Sequence, residues 1–298
     1  MVIFKGVLAG ALVATATGPL VAAAPNPEVL QRKGDWVADY GREGCHVYGQ
    51  FGSGDGEVIA RFSRYDLGDS FKFALFGKRV VVHRVAEAVH VDFGLAGKPV
   101  IEQALSGTAA NRPGLFFAGV RLDGWKRPVV TKVNWKPEGI DPGPRITAAQ
   151  EASVTGLTVA IPGKPAFRLE AGSLDKPFIV LRDCMDKLVR RWGYDPDVQK
   201  RLARPIGASN YPAEWLTDAD FPAGALRNRM NAMVHFRLDA DAQGKIVGCQ
   251  ILDRTEPKEF GGTTCTKISR RAKLEPALDA DLKPVPSFVV HTFNWRTG

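Results

Sequence analysis

Residues 233–252 alternate apolar and polar side chains in two runs around a turn, and this confines the end of the chain to antiparallel strands. Met233-Val234-His235-Phe236-Arg237-Leu238 puts Val234, Phe236 and Leu238 on one side and His235 and Arg237 on the other. The segment 239–244 supplies turn-forming Asp and Gly residues. The segment 245–252 reads as the return strand of a β-hairpin. Thr263 or Thr264 offers a cap for a helix running to about Leu274, with Cys265, Ile268 and Ala272 on one face. Residues 287–295 alternate again, with Val289, His291, Phe293 and Trp295 sharing one side. With a short helix near Ala225-Leu226, the order is helix, strand, strand, helix, strand. It predicts a three-stranded antiparallel sheet with two helices on one face.

The preceding part, residues 24–205, reads as a β-rich domain. Period-two runs cover 57–64, 71–75, 89–93 and 116–122, and further strands are expected at 129–133, 157–161 and 167–169. Short strands separated by turn signals predict a sandwich or an open barrel. Residues 105–113, rich in Gly, Ser, Thr and Pro, read as a loop. One helix stands out: Asp175 as its cap, Pro177 in its first turn, and Phe178, Leu181, Met185, Leu188 and Trp192 at helical spacing before Gly193. Such an amphipathic helix either docks a partner or packs on its own sheet. The fold class is therefore α+β, with a β-rich first domain and a small α+β domain at 206–298.

Several short motifs in the second domain come in a recognisable order. They are Phe221-Pro222 with Ala225-Leu226, the strand Val234-His235-Phe236, and the turn Gly244-Lys245-Ile246. Arg270-Arg271 leads to Leu274-Glu275-Pro276-Ala277, and Lys283-Pro284-Val285-Pro286 precedes the last strand. This series resembles the C-terminal domain of TonB, the periplasmic protein that energises outer-membrane transporters. The resemblance covers about the last third of the chain. It implies a periplasmic partner-binding protein whose last strand is an edge that pairs with a peptide from an outer-membrane transporter or other envelope protein. Val289, His291, Phe293 and Trp295 are the residues it assigns to that edge, and a homodimer by strand exchange is a second use of it. TonB-type transducers carry a membrane anchor and a long Pro-rich spacer, and no Pro-Lys or Pro-Glu tract occurs here. The alternative is a soluble periplasmic scaffold or regulator without energy transduction.

The first 23 residues suit a signal peptide: Lys5, a small apolar run, Gly18-Pro19, then Val21-Ala22-Ala23. A retained anchor is the alternative, and membrane contact is expected only in that case. Export places the four cysteines in an oxidising compartment, where an even number predicts disulfides. Cys249 on a strand and Cys265 on the helix above it form one expected pair. Cys45 and Cys184 form the other. Redox or metal roles lack any Cys-x-x-Cys or His/Cys ligand spacing.

A formal net charge of +8 could indicate an anionic polymer, but Lys and Arg are interleaved with acids and no basic-aromatic patch stands out. No nucleic acid is expected. Gly52-Ser53-Gly54-Asp55-Gly56 lacks the Lys and helix of a phosphate loop, and no Gly-x-Ser-x-Gly elbow occurs. His46, His83, His90, His235 and His291 are dispersed. The sequence thus points to a binding protein, not an enzyme, with no catalytic residue, metal or cofactor.

Overall fold

The computed structural model describes residues 26–84, 86–109, 111–126, 131–135, 137, 143–254 and 258–297. The expected signal peptide lies outside them.

Nine strands form a closed barrel: β1 (Glu28–Tyr40), β2 (Cys45–Phe51), β3 (Val58–Arg64), β4 (Phe71–Phe76), β5 (Ala86–Asp92), β6 (Val100–Ala109), β7 (Arg112–Val120), β8 (Gly156–Ala160) and β9 (Phe167–Glu170). Their spatial order is β1-β2-β3-β4-β7-β6-β5-β8-β9. The ring closes through a parallel pair, Glu28↔Phe167 to Gln31↔Glu170. Every other neighbouring pair is antiparallel. The expectation of a sandwich or open barrel is thereby corrected: β1 is long enough to pair with both β2 and β9, which leaves the sheet no edge.

Period-two patterning fills the interior. Phe62, Phe71, Phe73 and Phe117 are buried there, with ring centroids 5.0–5.4 Å apart in successive pairs. After α1 (Ala148–Ser153), α2 (Asp175–Arg191) inserts its apolar face into the same core. Phe178 lies 5.6 Å from Phe62 and 5.3 Å from Phe71. This helix therefore packs on its own barrel. Its N-cap position is held by Leu174, not Asp175, whose carboxylate instead accepts from Lys176 N at 2.7 Å. The disulfide Cys45–Cys184 ties α2 to β2, with Cα atoms 6.0 Å apart. Buried Arg64 is paired with fully buried Glu151 of α1, which also takes a hydrogen bond from Arg182 of α2.

Residues 105–113 are no loop. They form the tip of the β6–β7 hairpin, paired to Ala109↔Arg112, with Asn111 in the left-handed region at φ 60°. Small polar residues here line a tight turn, which from sequence alone reads as a break. The strand expected at 129–133 falls partly outside the described residues, and 131–133 are not strand.

A linker with α3 (Pro196–Lys200), β10 (Gly207–Ala208) and α4 (Ala223–Arg227) leads to the second core. There β11 (Ala232–Ala240) stands between β12 (Ile246–Arg254) and β16 (Ser287–Trp295), all antiparallel. Gly244 makes the hairpin turn at φ 80°, and a Cβ there would sit 2.5 Å from the Leu274 carbonyl oxygen. α5 (Glu259–Arg271) packs against this sheet, with Phe260 and Ile268 buried in its core. The helix starts before the expected Thr caps and ends before Leu274. Gly261 and Gly262 lie inside it, and Gly261 rides over Ile251, where a Cβ would come within 3.3 Å. Thr264 instead donates to the Phe260 carbonyl and accepts from the Trp295 indole. The disulfide Cys249–Cys265 joins β12 to α5. Two short ladders, β10 with β13 (Leu274–Glu275) and β14 (Ala277–Leu278) with β15 (Pro284–Val285), complete the unit. No helix among the described residues is long and apolar enough to cross a membrane.

Candidate functional site

Alternation on β11 sorts its side chains to two faces, and both are covered. Val234, Phe236 and Leu238 meet the helices, while His235, Arg237 and Asp239 meet the barrel and α2. The His235 ring stands 4.5 Å from Tyr65, the Arg237 guanidinium 4.0 Å over Trp192, and Asp239 accepts from Tyr194 Oη at 2.9 Å. A sheet face that a free-standing module exposes to water is thus an interface here.

Val289, His291, Phe293 and Trp295 do share one side of β16, as the alternation requires. That side is turned to the core. Val289 and Trp295 are buried, Phe293 packs 5.0 Å from Trp295, and the His291 ring lies 5.8 Å from Trp215. These four side chains hold the strand to its helices. What β16 leaves open is backbone. All nine of its residues pair with β11, from Ala232↔Trp295 to Ala240↔Ser287, and no strand among the described residues pairs with its other edge.

The opposite side of β16 faces a charged cleft against the barrel wall. Thr292 Oγ1 lies 2.7 Å from His235 Nδ1. Outward-facing residues of β3 and β4 form the far wall: Arg61, Ser63 and Lys72, with Tyr65 just beyond β3. Ser63 Oγ is 2.8 Å from His46 Nδ1. The Tyr65 ring lies flat on Gly44, where a Cβ would come within 2.4 Å. Asp253 of β12 reaches across, accepting from Tyr65 Oη at 3.0 Å and standing 3.9 Å from both Arg61 and Lys72.

Burial dominates the electrostatics. Desolvation, then Arg61, pushes the His46 imidazole down to about 4. Burial, then the charge of Lys72, holds His235 well below its ordinary value. The Lys72 ammonium is lowered to about 8, chiefly by desolvation and against the pull of Asp253. Burial and Asp253 raise the Tyr65 phenol well above its usual value. At neutral pH both imidazoles are neutral and Lys72 keeps its charge, with Arg61 and Asp253 as its charged neighbours.

Sequence reading did not find this cluster. Lys72 sits inside Phe71-Lys72-Phe73 and reads as a solvated outer position of a strand. Its partners His235 and Asp253 belong to the other core. Among the described residues no group of His, Cys, Asp and Glu is placed to hold a metal ion.

Fold and surfaces define a mixed α+β protein, a closed nine-stranded barrel bearing a three-stranded unit docked across a charged cleft. No protein-family model matches the chain, and neither a curated protein nor a solved structure matches it.

Proposed function

We propose that this is an exported binding protein, TonB-like in its C-terminal unit, that takes up an extended segment of an envelope partner such as an outer-membrane transporter. The observation that carries this reading is β16: nine residues long, laddered on one side only, with its outer N–H and C=O groups facing no strand. An incoming strand satisfies those groups directly, so backbone hydrogen bonds supply affinity whatever the partner's sequence. The element order helix, strand, strand, helix, strand, with sheet order β12-β11-β16, supports the resemblance drawn from the motifs. Two disulfides fit an oxidising, exported setting.

A second reading is a periplasmic scaffold without energy transduction. It is favoured by the docking of the sheet on the barrel, which commits the unit to its own chain.

A photo-crosslinking side chain at exposed Asn294 of β16, with a control at exposed Val247 of β12, tests the edge in cells. Crosslinks to an outer-membrane transporter from 294 and not from 247 are expected. Equal yields from both positions, or none from 294, would remove β16 as the binding edge. Membrane fractionation of the same cells separates an anchored transducer from a free scaffold.

A further inference from the structure

We infer that the cleft beside β16 is a binding site for a carboxylate group, with the Lys72 ammonium as its charged donor. The inference does not depend on strand addition at β16.

Lys72 is 8% exposed, yet its Nζ makes no hydrogen bond among the described residues. Its nearest anion, Asp253 Oδ2, stands at 3.9 Å, beyond hydrogen-bonding reach. That acid is also shared with Arg61 and is engaged by the Tyr65 hydroxyl. Arg61 and Lys72 share Asp253 as their nearest acid, and Asp66 is the acid that lines the cleft with Lys72. An ammonium that lines a cleft with no hydrogen-bond acceptor on the protein is open to one from a ligand, and a carboxylate accepts the strongest such bonds.

Two other cations lining the cleft are already engaged. Arg121 holds Asp123 through two hydrogen bonds of 2.9 and 2.7 Å, and Lys126 is paired with Glu102. Lys72, and Arg61 beyond it, whose Nε has no hydrogen-bond partner among the described residues, are the cations there whose donors are not taken. Its setting suits a carboxylate: the ammonium itself, a hydroxyl on Thr292 that is shared with His235, and the ring of Tyr65 5.4 Å from Nζ. A cavity of about 280 Å³ accommodates a carboxylate on a short stem and excludes a large ligand.

The site's position decides what can bring that group. From the C-terminal sheet, His235 of β11 and residues 290–292 of β16 line it, and Asp253 of β12 stands behind Lys72. The cleft therefore lies along the open edge. Its carboxylate is either a small free acid or an Asp or Glu side chain on a chain running beside β16.

Calorimetric titration with sodium acetate and sodium glutarate, against sodium chloride of equal ionic strength, tests the first source. A nine-residue Thr/Val peptide with a central Glu, beside its Gln twin, tests the second. Saturable binding in either arm, weakened tenfold or more by Lys72→Met, is expected. Binding is also expected to fall as pH rises from 7 to 9.5, because the ammonium discharges near 8. Asp253, Arg61, Tyr65 and His235 are the charged or titratable groups that face it, and Asp66, Arg121, Lys126 and His291 line the same cleft. Thr292→Val keeps the charge and removes one donor; a several-fold drop there carries the test should Lys72→Met misfold. No saturable binding in either arm, or affinity unchanged in both variants, overturns the inference.

Discussion

Tyr65 and Asp253 meet across the two cores: the barrel phenol donates a 3.0 Å hydrogen bond to a carboxylate on the far strand of the sheet. The same ring stands edge-on to His235, and the same carboxylate faces Arg61 and Lys72. A few side chains thus couple two separately packed units.

Tyr65→Phe should cost about 1 kcal/mol in urea unfolding, the net worth of one hydrogen bond. Asp253→Ala should cost more, because it leaves Arg61 and Lys72 facing each other without an acid. Adding Lys72→Met to Asp253→Ala should recover part of that loss. A double variant no more stable than Asp253→Ala alone would show that Lys72 and Asp253 are not coupled.

Acid should loosen the same interface. His46 has a folded value near 4 against an ordinary 6.5, and His235 is also depressed. A depressed histidine contributes stability that is present above its unfolded value and lost as pH falls through the folded one. Unfolding midpoints should therefore decline between pH 6.5 and 4. His46→Gln should flatten that decline.

Reduction should weaken both units unequally. The chain-entropy model assigns roughly 3 kcal/mol to Cys249–Cys265, which spans 16 residues, and roughly 5 to Cys45–Cys184, which spans 139. Paired Cys→Ala variants compared by denaturant unfolding test that ranking. The larger loss should fall on the barrel, where α2 loses its tether to β2.

Phe293→Asp should lower stability by about 2 kcal/mol, since Phe293 packs on Trp295 in the second core. Asn294→Asp, at an exposed position one residue on, should leave the midpoint within a degree or two. Equal effects would contradict the assignment of the two faces of β16.

Where alternation was strict, the strands could be read directly: β3, β4, β11 and β16 follow their period-two runs almost to the residue. Both cysteine pairs were legible: Cys249 and Cys265 fell on a strand and on the helix above it, and Cys45 and Cys184 were the pair that remained. β1 was not legible. Its burial hardly alternates, and a register shift between Lys33 and Val37 breaks what pattern remains. The β6–β7 hairpin was hidden by small residues that look like loop. The cleft could not be read at all, since Ser63, Tyr65 and Lys72 acquire a role only when a sheet more than 150 residues later docks on them.

The parallel seam between β1 and β9 also sets an order of events. The first described strand finds its closing partner only when Phe167–Glu170 has been made and brought back to it. Until then the barrel is an open ribbon with both edges unpaired and its apolar interior in reach of water. Such long-range closure is slow. The seam, rather than any hairpin, is where a chaperone's hold, or a race against self-association, would be decided.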